Sequence, residues 1–419
     1  MNFHLDLDAF FVSAERINNP RLHGKPVAIG GRSDPYIFSK ERLNRDIVFQ
    51  NTGAFVSAVF IDKNEANLPD YFKDNNKIRG IVTTSSYEAR SYGIKTGMSI
   101  AEAKNRCKDL IVIKPNHVLY HNLSKSLREY MQSQIPTIEQ FSIDEFFGDL
   151  SGWIDDDKIY SFLVTLRDNV YKKFKLPCSI GIAPSKWTSK LATEFAKPFG
   201  VKKIDDVDSF IQDIPIEKFP GIGKAFQKKL HKYKKFTLGD IKESKTLLYS
   251  WGNSGKCIYD RVCGCDEESV IEKNGRKSVG ISRTFDAITD RNELKRRFYI
   301  LNRHLVFMVS KLELIPTTLN LSIQYKYSSK RKQITFNRLL NEQFLIESII
   351  DIFEELDKNS TNEVIKLSIS LTNFIKKEKL HPSVLDIHKD IKLNLLMKKN
   401  HELRSKYGID ILRSAKELL

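Results

Sequence analysis

The chain opens with MNFHLDLDAFF, and the two carboxylates inside this apolar stretch restrict what it can become. Phe3, Leu5 and Leu7 alternate with His4, Asp6 and Asp8, which is the period-2 signature of a strand with one apolar and one polar face. Acids on a covered face need something to hold. A second pair, Asp144 and Glu145 of SIDE, suggests what. Neighbouring strand residues point to opposite faces, so these two can share a site only at a turn or strand end. Three carboxylates converging on a sheet edge repel one another unless cations lie between them. Magnesium suits such a place, because it takes a few carboxylates and completes its octahedron with water and substrate phosphates. Two such ions about 3.5–4 Å apart clamp an in-line phosphoryl transfer. Taken singly, each motif reads more readily as solvated surface acids.

The length of 419 residues allows roughly two to four domains with real cores. Lysine and arginine outnumber aspartate and glutamate by 68 to 52, a net charge of +16, which favours an anionic partner such as nucleic acid. No run of about 18 apolar residues suggests a membrane span. The first residues lack the basic region of a signal peptide. Of the five cysteines, Cys257, Cys263 and Cys265 cluster, but without a fourth ligand at zinc-site spacing. A soluble protein of a reducing cytoplasm is expected.

Along the chain, FVSAERINNP predicts a helix ended by Pro20, and GKPVAIGG a strand closed by Gly30 and Gly31. GIVTT predicts a strand, and SSYEARSYGI opens a helix with Ser85 and Glu88 as a capping box. IEQFSIDEFFGDLS predicts two strands around a turn, LPCSIGIA a strand, and SKWTSKLATEFAKPFG a helix stopped by Pro198 and Gly200. Residues 206–270 read as all-helical. From Lys277 the order is β-α-β-β-α-β, a compact α+β module, and residues 376–419 form a basic, helical tail.

Three further patterns suit an anionic ligand. Tyr87 and Arg90 of YEAR share one helix face, and Arg90 offers a bidentate fork for phosphate. Lys190 and Lys197 lie seven apart on one face of another helix. KFPGIGKAFQKKLHKYKK, Lys218 to Lys235, holds seven lysines among its non-acidic residues, with Gly221 and Gly223 flanking Ile222 in a tight turn. Such a turn lets backbone N–H groups approach a DNA phosphate while Lys224, Lys228 and Lys229 neutralise its neighbours. Ordinary solvated lysines are the competing reading.

In combination and in this order, DLDAFFVSAE, GKPVAIGG, SSYEARSYGIKTGM, FSIDE, SIGIAPSKWTSKLATEFAKP and FPGIGK resemble the Y-family translesion DNA polymerases, nearest their bacterial DNA polymerase IV branch. The resemblance covers about residues 1–31 and 80–375. It implies an α+β multidomain right hand: a palm from 1–10 and 116–204, small fingers from 11–115, a helical thumb with a helix-hairpin-helix over 205–272, and a little finger of β-α-β-β-α-β order over 278–375. It implies that Asp6, Asp144 and Glu145, with the Leu7 carbonyl, hold two Mg2+ ions. It also implies that Phe10 and Phe11 lend N–H groups to a triphosphate, that Tyr87, Arg90 and Lys197 bind its phosphates, and that Phe11 is the steric gate against ribose. Lys190, Gly221, Gly223, Lys224, Lys228 and Lys229 are the expected DNA contacts. Asp8 is near the site and is the weaker candidate for direct ligation, and Ile81 and Thr83 cover the nascent pair. The activity implied is addition of deoxynucleotides to a primer 3′-end, low in fidelity and without proofreading, by a monomer in the cytoplasm.

Other classes remain open at this level. The chain could be the catalytic subunit of a multi-subunit lesion-bypass polymerase, or a silent assembly factor at replication forks, although Asp6, Asp144 and Glu145 argue against silence. A nucleotide cyclase would share the two-metal logic but not need the lysine-rich hairpin. A sliding clamp is a conceivable partner, yet SVLDI (383–387) matches a clamp-binding peptide poorly. The departure from the family is residues 33–78. They carry Tyr36, Ile37, Phe38, Phe55, Val59 and Phe60, too many apolar side chains for a solvated linker. A folded elaboration of the fingers is expected there, with a strand near AFVSAVFI and a helix on either side; Arg42, Arg45, Lys73, Lys77 and Arg79 are candidates to contact the template, and a merely stabilising cap is the competing reading.

Overall fold

The computed structural model describes residues 1–32, 36–40, 45–49, 58–62, 71–74, 77–272, 275–382 and 384–418. The chain divides into two compact units. The first comprises Met1–Gly31, Gln50–Val56 and Lys77–Asn274; the second comprises Arg32–Phe49, Ser57–Asn76 and Gly275–Leu419.

In the first unit a five-stranded sheet has the spatial order Val201–Lys203, Cys178–Ala183, Asn2–Leu7, Glu145–Asp149, Thr137–Gln140. The opening strand is therefore internal, antiparallel to both neighbours, and covered on both faces. Phe3, Leu5 and Leu7 pack against Tyr120, Leu127, Leu163 and Val170 of helices His117–Gln134 and Ile159–Phe174. The opposite face lies under helix Lys186–Ala196, whose Thr193 meets His4. This helix comes very close at Gly181: a Cβ there would stand 2.1 Å from the Ser189 carbonyl oxygen. Glycine is required by that approach, and the approach carries Lys190 toward the strand.

The same unit holds a three-stranded sheet in the order Ile81–Ser85, Val27–Gly31, Ile111–Ile113. Helix Tyr87–Ser91 follows it, capped by Ser86, whose side chain accepts from the Ala89 N–H. The cap is thus one residue later than the Ser85–Glu88 spacing suggests, because Ser85 is still the end of its strand. After residue 205 come short helices around a core of Ile211, Ile216, Phe219, Ile222, Leu230 and Leu248. Gly221 adopts φ +98°, a conformation that L side chains rarely reach, and turns the chain into helix Lys224–Lys232.

The second unit is built on a four-stranded antiparallel sheet ordered Ser278–Ile288, Val364–Ile375, Ile315–Tyr325, Ser329–Thr335. Helices Arg291–Lys311 and Glu342–Leu356 cover one face through Leu294, Phe298, Leu305, Ile349 and Phe353. The β-α-β-β-α-β order is that read from the sequence.

Two segments differ from the sequence reading. The insertion is expected as part of the fingers; instead Ile37 is buried in the core of this second unit with Phe38 packed beside it. Strand Ala58–Asp62 overlaps the second half of the expected AFVSAVFI and pairs with Arg45–Phe49, but no helix occurs among the described residues of 32–79. Arg42 and the side chains of Arg45, Lys73 and Lys77 lie outside the described residues. The tail is helical over Val384–Tyr407, which takes up most of SVLDI, but it folds back rather than standing free. Arg303, buried in helix Arg291–Lys311, donates to both Glu417 carboxylate oxygens, to Asp410 and to the Ile409 carbonyl. Asp390 is fully buried against Arg338. The tail's net positive charge hides these buried acids. No helix among the described residues is long and apolar enough to cross a membrane, and the five cysteines are free thiols.

Candidate active site

The site follows from strand register. Asp6 is the Cα partner of Glu145 on one side and of Ser179 on the other. Asp144 sits in the turn just before Glu145, where the alternation of faces has not yet begun, so both acids can turn toward Asp6. The Leu7 N–H donates to the Asp144 carbonyl at 3.1 Å and ties that turn to the end of the first strand. Ser142 Oγ donates to Asp144 Oδ1 at 2.5 Å.

Burial is the largest influence on Asp6, and it raises the carboxyl. Lys197 opposes it, the charges of Asp144 and Glu145 add to it, and the pKa stands at about 7. Asp144 is raised by burial and by Glu145 as well. Among the described residues no three His, Cys, Asp or Glu side chains form a ready-made metal-ligand set. Instead two ammonium groups stand at the carboxylates: Lys197 Nζ is 2.8 Å from Asp6 Oδ2, and Lys190 Nζ contacts Glu145 Oε1. Buried, mutually repelling oxygen ligands already facing cations fit a hard divalent ion such as magnesium.

His4 organises the lysine side of the site. It is buried, and burial together with Lys190 and Lys197 lowers its pKa well below the usual value, so the ring is neutral. Thr193 Oγ1 donates to the His4 carbonyl at 3.1 Å and lies 2.9 Å from Nδ1, which assigns the ring proton to Nδ1. The Nε2 lone pair then faces Lys190 Nζ at 3.4 Å. Lys190, expected at DNA, is thus part of the carboxylate cluster. Lys197 has a raised pKa: burial would lower it, and the charge and hydrogen bonds of Asp6 and Glu194 outweigh burial.

Asp8 is a fastener. Its buried carboxylate accepts from Ser179 Oγ at 3.0 Å, from the Phe199 N–H at 2.8 Å and from Tyr87 Oη at 3.1 Å. Four parts of the chain are so joined beside Asp6, and Tyr87 is held on the site's edge. Its phenol is raised by burial and by Asp8. Arg90 lies 4.7 Å over the Tyr87 ring and donates through Nε to the Ser85 carbonyl, which leaves its remaining N–H groups for a ligand.

Helix Phe10–Asn18 starts one residue after Ala9, whose φ of 45° is left-handed. The Phe10 and Phe11 N–H groups therefore belong to a first turn that has no intrahelical acceptors, a natural anion seat. The Phe11 ring stacks on Tyr120 at 4.2 Å and 11°, and Tyr120 Oη donates to Glu15 at 2.6 Å. Tyr120 and His4 are invisible to motif reading: an isolated Tyr on an amphipathic helix and a His on a strand carry no spacing signal.

Elsewhere in this unit, Lys224 and Lys228 project from helix Lys224–Lys232 without an acid partner among the described residues, and Lys229 Nζ lies 3.9 Å over the Trp251 ring. Ile81 is half exposed, while Thr83 Oγ1 bonds the Ile29 carbonyl.

Known proteins share this architecture. Residues 5–194 match the impB/mucB/samB family, residues 276–383 match the C-terminal domain of that family, and residues 205–234 match its helix-hairpin-helix motif. The chain belongs to this Y-family of polymerases. DNA polymerase IV of Streptococcus pyogenes serotype M1 is 28% identical over 400 residues, spanning 93% of this chain and 96% of its own. That of serotype M28 (strain MGAS6180) is 28% identical over 396 residues, with the same coverage. Among solved structures, a chimera of the Y-family DNA polymerases Dbh and Dpo4 aligns with a TM-score of 0.69 at 21% identity, covering 89% of this chain and 99% of its own. An insertion ternary complex of Dbh DNA polymerase aligns at 0.55, with 20% identity and the same coverage. These last two bear on fold. The final segment, 384–419, lies beyond the family matches.

Proposed function

We propose that the protein is a DNA-directed DNA polymerase that extends a primer 3′-end across damaged as well as intact template, without proofreading. The observation that carries this is the convergence of Asp6, Asp144 and Glu145 at one end of the five-stranded sheet, under opposed cations. Two Mg2+ ions would be held by Asp6, the Leu7 carbonyl, Asp144 and Glu145. When bound, they would lower the pKa of the primer hydroxyl and neutralise charge on the phosphates. The chain's own residues do the rest. The first-turn N–H groups of Phe10 and Phe11, with Tyr87, Arg90 and Lys197, would bind the triphosphate and set its α-phosphate in line with the primer hydroxyl. Arg90 and Lys197 would stabilise charge on the leaving pyrophosphate. Lys197 is already protonated and close to Asp6, so it can exchange a carboxylate for a phosphate oxygen as ions and nucleotide enter.

Phe11, backed by Tyr120, would lie against the sugar and exclude a ribose 2′-hydroxyl. Lys224, Lys228 and Lys229, with the turn at Gly221 and Gly223, would grip the duplex through phosphates, and the polar sheet face of the second unit, Ser322, Gln324, Lys366 and Ser368, would add a further such surface. Primer-template DNA and deoxynucleoside triphosphates are the partners this reading requires. The test is primer extension by the purified chain with Mg2+ on plain and damaged templates: extension without any accessory protein supports it, and strict dependence on one favours a subunit of a larger polymerase.

A further inference from the structure

The loop Lys197–Gly200 joins helix Lys186–Ala196 to the edge strand Val201–Lys203 of the five-stranded sheet. Within it Phe199 adopts a φ of 50°, in the left-handed region that a bulky side chain reaches only at a cost. A glycine stands one residue later but is needed where it is: a Cβ on Gly200 would lie 2.1 Å from the Ala196 carbonyl oxygen. Phe199 is held by contacts of three kinds. Its N–H donates to Asp8 Oδ2 at 2.8 Å. Arg167 Nη1 donates to its carbonyl at 3.1 Å, and the guanidinium lies 4.6 Å over its ring. Tyr171 meets the same ring edge-on at 5.2 Å. Arg167 and Tyr171 are four apart on helix Ile159–Phe174 and so share a face. Arg167 is itself fixed, because Nε and Nη2 both donate to Asp168 Oδ1, at 2.9 and 2.6 Å, while Nη1 serves the loop.

A backbone outlier so firmly held points to a role beyond folding. We infer that Arg167, Tyr171 and Phe199 form a clamp that positions Lys197 and Tyr87 for a nucleotide. Two residues before Phe199, Lys197 reaches Asp6 at 2.8 Å. The Phe199 N–H sets one oxygen of Asp8, whose other oxygen accepts from Tyr87 Oη at 3.1 Å. A rotation of the Phe199 amide therefore disturbs both side chains. A glycine would reach the same φ without cost, but would give Arg167 and Tyr171 no ring to grip. The ring is the handle by which helix Ile159–Phe174 fixes the amide. That Lys197 and Tyr87 bind a nucleotide rests on the polymerase reading; the clamp does not.

Two readouts separate the clamp from its consequence. Hydrogen exchange at the residue-199 amide reports the clamp with no substrate present. Steady-state primer extension reports the KM for deoxynucleoside triphosphate against kcat. Phe199→Gly keeps the backbone N–H, tolerates the left-handed conformation and removes the ring. Its residue-199 amide should exchange at least about tenfold faster than the parent's. Its KM should rise by about five- to tenfold while kcat stays within about threefold, because Asp6, Asp144 and Glu145 are untouched. Arg167→Met, which leaves Phe199 in place, should shift exchange and KM in the same direction by less. Phe199→Tyr, which keeps the ring, should match the parent in both. Unchanged exchange in Phe199→Gly and Arg167→Met would overturn the clamp. Faster exchange with an unchanged KM would overturn the positioning role and leave the clamp a structural device. Exchange in Phe199→Tyr as fast as in Phe199→Gly would show that the ring is not the handle and overturn the proposal. A parent that extends no primer would overturn the polymerase reading, and the exchange rates would still decide the clamp.

Discussion

The Phe11 ring lies parallel to that of Tyr120, 4.2 Å away, and Tyr120 is itself pinned by a 2.6 Å hydrogen bond to Glu15. A side chain that must exclude one hydroxyl needs a fixed position, and the stack supplies it. Phe11→Ala is expected to admit ribonucleotides, raising their incorporation relative to deoxynucleotides by about 10²-fold or more, the size of a discrimination worth roughly 3 kcal/mol. Tyr120→Leu should give a smaller change in the same direction. Equal ribonucleotide exclusion by the parent and Phe11→Ala would mean that another side chain is the gate.

The raised carboxyl of Asp6 makes the metal-free protein sensitive to pH. An unfolded aspartate titrates near 3.8, and in the fold Asp6 titrates at about 7. Between those values the folded state holds the extra proton, so stability falls as pH rises through that window and levels off above it. In EDTA, Tm should therefore drop between pH 5 and pH 8. Added Mg2+ should reduce that drop, because the ions stabilise the ionised form. The Mg2+ concentration for half-maximal extension should be roughly tenfold higher at pH 6 than at pH 8, because one ligand must lose its proton. A Tm in EDTA that rises steadily from pH 5 to pH 8 would contradict the assignment.

DNA binding should weaken steeply with salt. Neutralising Lys224, Lys228 and Lys229 together should flatten the log–log slope by up to about 2.7 units, 0.9 for each phosphate that no longer meets a lysine. Lys229 already lies over Trp251, so its share should be the smallest. Fluorescence anisotropy with labelled primer-template between about 50 and 300 mM salt measures the slope, and an unchanged value would remove the hairpin from the interface.

Asp8 allows structure and chemistry to be separated. Its carboxylate joins Ser179, Phe199 and Tyr87. Asp8→Ala should cost about 2–4 kcal/mol of stability through the orphaned buried donors, and should raise the KM for nucleotide by loosening Tyr87. A variant with parental Tm and KM would show that the fastener is dispensable.

Much of this fold is legible in sequence because local signals agree with tertiary need. The strand Asn2–Leu7, the SIDE turn and the β-α-β-β-α-β order each combine periodicity with clear stops. What escapes is set by long-range packing. Lys190 reads as a solvated lysine or a DNA contact, and Lys197 as a solvated lysine or a phosphate ligand on the same helix, until helix Lys186–Ala196, seated at Gly181, turns Lys190 onto Glu145 and ends in an extended Lys197 that meets Asp6. Ile37 and Phe38 mark a folded segment by composition, but nothing local says whose core they enter. The tail's acids Asp390, Asp410 and Glu417 are outnumbered in sequence and become visible only against Arg338 and Arg303.

The central claim is that Asp6, Asp144 and Glu145 form the catalytic centre for nucleotide transfer. The most direct measurement is single-turnover primer extension by Asp144→Ala, paired with its Kd for primer-template. The substitution removes a carboxylate and no lysine, so incorporation should fall by more than about 10²-fold, a barrier increase of about 3 kcal/mol or more, while DNA affinity stays within about twofold of the parent. Extension above a hundredth of the parental rate, with the variant folded and DNA-bound, would contradict the account.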